Sequence, residues 1–245
     1  MLTPTAPSSA MPTDHPQSTT APVVDSALDA VPVASHFDSA RQQHDSVMLG
    51  MWLFLATEIM FFGGAFAVYT IYRAYFGDAF HHASKTLDAI VGTINTFVLL
   101  TSSLTMVLAV DASEKGKRGL TIAYILATIV LGGVFLGVKS FEYQHKFHEH
   151  HAPMLGLPFH WEHGPATEGG AKMFFGLYFG MTGLHALHMV IGMVILGIFI
   201  VRCARAADVR ARSQGLELMG LYWHFVDIVW IFLFPLLYLV DRTSH

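Results

Sequence analysis

The sequence predicts an all-α, polytopic membrane protein, a bundle of five transmembrane helices behind a disordered amino-terminal tail. Three observations predict it. Of the 245 residues, 53% are hydrophobic and 13% are charged, where a soluble domain carries about 25% charged residues. The apolar residues fall into five runs, each long enough to cross roughly 30 Å of hydrocarbon as a helix. Residues 1–44 hold six of the ten prolines among Ser, Thr, Ala and Asp, a composition that cannot bury enough apolar area to offset the entropy of ordering.

The tail lacks a basic start followed by an apolar core, so it does not read as a secretory signal. A net charge of -4 dispersed among apolar runs offers no basic face for nucleic acid. A single cysteine, Cys203, leaves no disulfide framework and no thiolate cluster for copper, zinc or iron–sulfur.

The transmembrane domain is expected over 45–245. Its first span, about 46–75, carries one mid-run charge, Glu58. A loop with Asp78, His81, His82 and Lys85 leads to the second span, about 88–110, whose Ser and Thr hydroxyls can bond within the helix or across to a neighbour. Asn95 is its one amide and should face protein. A short basic turn reverses the chain into the third span, about 119–142, where Gly132, Gly133 and Gly137 suit close packing and Lys139 lies one turn from Glu142. A long connection, about 143–170, holds six histidines. The fourth span, about 171–202, carries His185 and His188 and ends at Arg202. The fifth, about 216–241, is almost wholly apolar but holds His224 and Asp227 three residues apart, with Pro235 allowing a bend.

Counting Lys and Arg by side gives eight on the side of the tail and the two short loops. The other side has six, Arg73, Lys85, Lys139, Lys146, Lys172 and Arg242. That bias predicts a cytoplasmic amino terminus and a periplasmic carboxy terminus.

Each intramembrane polar residue has two readings. An aspartate at mid-bilayer costs about 2.5 kcal/mol or more unless satisfied. Glu58 is either a proton-linked carboxylate or a neutral acid in a structural hydrogen bond. His185, His188 and His224 could ligate haem or metal, but a histidine pair on one helix beside one elsewhere does not make two haem sites, so hydrogen bonding to Glu or Asp partners is expected instead. The His-rich loop, 145–163, could take zinc or copper, although no fixed ligand spacing such as HExxH appears. Glu58 and Asp227 could also form the proton relay of an independent transporter.

The runs WLFLATEIMFF (52–62), INTFVLLTSS (94–103), FEY (141–143), TGLHALHMVIG (182–192) and YWHFVDIVWIFLF (222–234) resemble, in order and spacing, subunit III of haem–copper terminal oxidases, in a five-span bacterial form. The resemblance covers about 46–241. It implies a non-catalytic subunit of an aerobic cytochrome c oxidase complex that reduces dioxygen to water and pumps protons, in the bacterial inner membrane. It implies no cofactor in this chain beyond bound phospholipid. Haem and copper would lie in partner subunits I and II, with further small subunits present. By position, Glu58 matches the family's buried, carbodiimide-reactive carboxylate. Asn95 and Glu142 match the family's Asn-Thr and Glu-Tyr motifs, His185, His188, His224 and Asp227 its two most recognisable helices, and Arg202 an arginine that contacts a lipid headgroup. Asn95, Glu142, His185, His188, His224 and Asp227 are expected to form one interhelical polar network that fixes the geometry of the bundle. The typical seven-span members have two further helices at the front, which form one wall of a lipid cleft. A quinol oxidase subunit III and the accessory subunit of nitric oxide reductase are the alternatives within the resemblance.

Overall fold

The structure, a computed structural model, describes residues 39–148, 161 and 164–239. Most of the expected tail and most of the His-rich loop lie outside the described residues. Among the described residues the secondary structure is helical throughout, and five helices are long and apolar enough to cross a membrane.

Helix α1, Ala40–Tyr75, starts inside the expected tail because the Ser39 hydroxyl caps it, accepting from the Gln42 amide at 3.2 Å. Its 36 residues rise about 54 Å at 1.5 Å each, well beyond the hydrocarbon thickness. The following segment, expected as a loop, forms a short helix α2, Gly77–Lys85, with Ala79, Phe80 and Ala83 buried. Nine residues of mixed polarity are too few for an apolar run to reveal.

Helix α3, Ala89–Glu114, is capped by the Asp88 carboxylate, which accepts from the Ile90 and Val91 amides at 2.9 and 3.2 Å. Its buried residues Gly92, Asn95, Leu99, Ser102, Met106 and Ala109 recur every three or four positions and form one stripe. Gly116, at φ 71°, makes the tight reversal into α4, Arg118–His148. Helix α5, Pro165–Arg205, follows, then a single 3-10 turn, Arg210–Arg212, and α6, Ser213–Phe234. At Pro235, which has no amide hydrogen to donate, the chain loosens into a π-helical turn, Pro235–Leu239. Tyr69 donates to the Leu236 carbonyl in that turn at 3.0 Å. The ends of α4 and α5 run beyond the expected spans because polar residues continue the helices out of the hydrocarbon.

Helix α6 is the centre of the bundle. Of its most apolar eighteen residues, 61% are buried within the chain, against 11–28% for the other four long helices. It packs on α3, α5 and α1, and α3 pairs antiparallel with α4. Trp223 of α6 is fully buried between two glycines. A Cβ on Gly132 would stand 3.1 Å from its ring, and one on Gly192 3.0 Å. Of the three glycines expected to allow close packing in α4, Gly132 does so, while Gly133 and Gly137 meet nothing within 4 Å.

Gly170 seats α2 on the start of α5, since a Cβ there would lie 2.5 Å from that of Ala79 and 2.9 Å from that of Phe76. Gly170→Val is expected to cost about 1–3 kcal/mol, the usual penalty of overpacking. Thermal denaturation of the purified complex should reveal it, with Gly133→Ala close to wild type as the control.

Candidate functional site

The polar residues singled out from the sequence do not form one network. The fold divides them into separate clusters, each where two or three helices meet.

Glu58 of α1 meets His188 of α5, with Oε2 3.3 Å from Nε2 and side chains 20% and 13% exposed. His188 Nδ1 lies 2.9 Å from the Leu184 carbonyl. A carbonyl only accepts, so Nδ1 carries hydrogen. The contact with Glu58 therefore holds one proton, donated either by a neutral carboxylic acid to Nε2 or by an imidazolium to a carboxylate. The Tyr222 hydroxyl donates to the His188 carbonyl at 3.0 Å, and the Phe62 ring lies 5.5 Å from the imidazole. The pair opens onto a groove of about 540 Å³ between α1, α5 and α6, which reaches Phe199 and Gly215.

Glu142 gathers three donors. It accepts from Lys139 Nζ at 2.9 Å, from the Tyr178 hydroxyl at 2.8 Å and from the Tyr238 hydroxyl. Lys139 also donates to the Tyr238 hydroxyl and lies 4.7 Å from the centre of the Trp230 ring. Beside this cage, Tyr143 and Thr182 share a hydrogen bond, and Thr182 donates to the Tyr178 carbonyl at 2.6 Å. Lys139 and Lys146, counted above as charges of the outer connections, are each 4% exposed.

His224 bonds through Nδ1 to the Ser103 hydroxyl at 2.7 Å and to no acid. Asp227, 3% exposed, lies beside Ser103 with both oxygens lacking a hydrogen-bond partner. Asn95 donates to the Phe135 carbonyl at 3.3 Å, while its own Oδ1 is buried without a partner. Neither ring nitrogen of His185 has a partner; the imidazole is packed between Phe135 at 5.5 Å and Trp230 at 5.1 Å. Among the described residues, His188 alone of these three histidines lies against a carboxylate. Two histidines three residues apart on a helix point about 60° apart around the axis. His188 reaches α1, while His185 turns into the aromatic core. Arg202 stands exposed near the end of α5, one turn past Phe199.

Three contacts join the hydroxyls of α3 to α6. Trp223 donates to Ser102 at 3.1 Å, Trp230 donates to Thr96 at 3.0 Å, and Ser103 binds His224. The hydroxyl-rich composition of the second span was the signal for this seam, but it could not name the partners. The sequence reasoning missed Tyr178 and Tyr238, which look like ordinary interfacial aromatics until Glu142 is placed between them. As for metals, no group of three His, Cys, Asp or Glu side chains able to hold an ion occurs among the described residues. His185 has no open face, and both nitrogens of His188 are engaged.

Comparison with known proteins places the chain in a family. The family model of cytochrome c oxidase subunit III matches residues 165–241. Cytochrome c oxidase subunit 3 of Alkalihalophilus pseudofirmus is 31% identical over 207 residues, covering 84% of this chain and 92% of the relative. The protein of the same name from Thermostichus vulcanus is 33% identical over the same shares. The cytochrome bo(3) ubiquinol oxidase subunit 3 of Pseudomonas aeruginosa is 26% identical, covering 86% of this chain and 93% of the relative. With 31% and 33% identity across 92% of two relatives, the chain belongs to the cytochrome c oxidase subunit III family, the non-catalytic, multi-pass membrane subunits of haem–copper oxidases.

Proposed function

We propose that this chain serves a bacterial cytochrome c oxidase, in which it stabilises the catalytic subunit, holds structural phospholipid and supports proton uptake and oxygen access while partner subunits I and II carry haem and copper. The observation that carries this reading is the Glu58–His188 pair, a carboxyl and an imidazole in contact across two helices beside an apolar groove between α1, α5 and α6. Cytochrome c as donor, in preference to quinol, is supported by the higher identity to relatives named for cytochrome c oxidase.

Phospholipid binding is supported by the same groove. Its Phe199 end lies one turn before Arg202, whose guanidinium suits a lipid phosphate at the interface. The wall that two further helices provide in seven-span members would come from another subunit. A cytoplasmic amino terminus is supported more strongly than by the raw count, because burial of Lys139 and Lys146 leaves four of the six basic residues opposite as candidates for surface charge.

Glu58→Leu removes an interhelical hydrogen bond of about 1–2 kcal/mol in a membrane and the site of the shared proton. In the whole complex it is expected to leave the haem spectrum and initial turnover near wild type while activity decays faster during sustained turnover. Glu58→Gln, which can still donate to Nε2, should fall between. Loss of haem, or an unchanged lifetime of turnover, would overturn the reading.

A further inference from the structure

Asp227 stands apart from the other acids of the bundle. It is 3% exposed, both of its oxygens lack a hydrogen-bond partner, and no cation is in reach. An ionised carboxylate left this way inside a membrane is costly, and the neutral acid with its proton is the form the site holds at rest. Trp223 and Trp230, one turn away on either side, are fully buried and shield it along the helix. The polar group beside it is the Ser103 hydroxyl of α3, and that hydroxyl lies 2.7 Å from His224 Nδ1. His224 is half-buried, and its Nε2 has no partner among the described residues.

Two depressions meet at this imidazole. The one between α1 and α6, of about 430 Å³, is otherwise lined by apolar side chains such as Trp52, Ile59 and Phe232. The other, of about 300 Å³, lies between α3 and α6 and runs from His224 to Asp111, Glu114 and Glu217, where α3 stops and α6 starts. Asp111 is paired with Lys115 at 2.7 Å, whereas Glu114 and Glu217 are exposed. The second depression is polar and roomy enough to take water, and the first suits hydrocarbon. We propose that Asp227, Ser103 and His224 form a proton-exchange site, in which the buried acid gives up and regains its proton through the hydroxyl and the imidazole to water in the depression beside Glu114 and Glu217.

The three groups have the donors and acceptors that this needs. A hydroxyl accepts and donates at once, and a neutral imidazole accepts at one nitrogen while donating from the other. The Asp227 O–H breaks as its hydrogen passes to Ser103 Oγ, the Ser103 hydrogen passes to His224 Nδ1, and the Nε2 hydrogen leaves to water. What remains is a carboxylate, an intact serine and a neutral imidazole carrying hydrogen on Nδ1. The reverse sequence restores the acid.

The site is a property of this chain and does not depend on the electron donor of its complex. In the complex purified through this chain, the infrared difference between wild type and Asp227→Asn is expected to show the C=O stretch of one protonated carboxyl. After transfer to heavy water that band shifts as the acid exchanges. Ser103→Ala and His224→Leu are each expected to slow the shift by about tenfold or more, because exchange must then wait for the core to open. A loosened bundle would speed exchange, so slowing reads the route and not a damaged fold. Ser103→Thr, which returns the hydroxyl, should return most of the rate. The absence of a protonated-carboxyl band, a wild-type band that does not exchange, or equal rates in wild type, Ser103→Ala and His224→Leu would overturn the proposal.

Discussion

Replacing Glu142 with leucine is expected to destabilise the bundle by about 3–5 kcal/mol, the cost of removing one partner from a buried ion pair. Lys139 would be left inside the packed core, its side chain 6% exposed, with the Tyr238 hydroxyl and the ring faces of Trp230, Tyr178 and Tyr238 as its remaining company. Those rings attract a cation, but by roughly 0.5–2 kcal/mol, too little to replace a carboxylate. The hydroxyls of Tyr178 and Tyr238 would also lose their acceptor. Lys139→Leu is expected to be milder, because Glu142 keeps two hydroxyl donors. The double replacement should recover most of the loss of Glu142→Leu, since no uncompensated charge remains. Denaturant-induced unfolding of the purified complex reads all three, and Glu142→Leu at wild-type stability would refute the account. The cage joins α4, α5 and the π turn after α6, so its failure should also release that turn, detectable as faster proteolysis near the carboxy terminus.

The five spans were legible because a membrane imposes a blunt requirement: about twenty apolar residues in succession, whatever surrounds them. That requirement says nothing about short helices, which is why α2 read as a loop, or about helices continuing into water, which is why α4 and α5 are longer than expected. Polar residues inside the spans were legible as residues needing partners, but partner identity depends on how each helix is rotated. Glu58 and His188 lie 130 positions apart, and rotation alone brings them together. Rotation likewise turns His185 into the aromatic core, where neither ring nitrogen finds a partner, and sets Asp227 beside Ser103 with no cation in reach. Lys139 illustrates the remaining failure. It was counted among the charges of the outer connections, whereas Tyr178, Tyr238 and Trp230, all from other parts of the chain, make a cage that can hold a charge inside the bundle.

Trp223→Ala is expected to cost about 3–5 kcal/mol, the range for removing a large aromatic from a packed core. The argument turns on the two glycines that face it. Gly132 on α4 and Gly192 on α5 lie so close to the indole that even a Cβ on either would crowd it, so α4 and α5 have moved in against this one ring. Without it, neither glycine has a side chain to fill the space, and a cavity remains unless both helices shift. Ser102 would lose the indole donor but keep its own bond to the Leu99 carbonyl at 2.9 Å, so the hydrogen bond is the smaller part. Trp223→Phe separates the two contributions: it keeps most of the volume, loses the bond to Ser102, and is expected to cost well under half as much. Unfolding midpoints of the purified complex carrying each variant measure the ratio. Equal losses would place the energy in the hydrogen bond and remove Trp223 as the packing centre of the bundle.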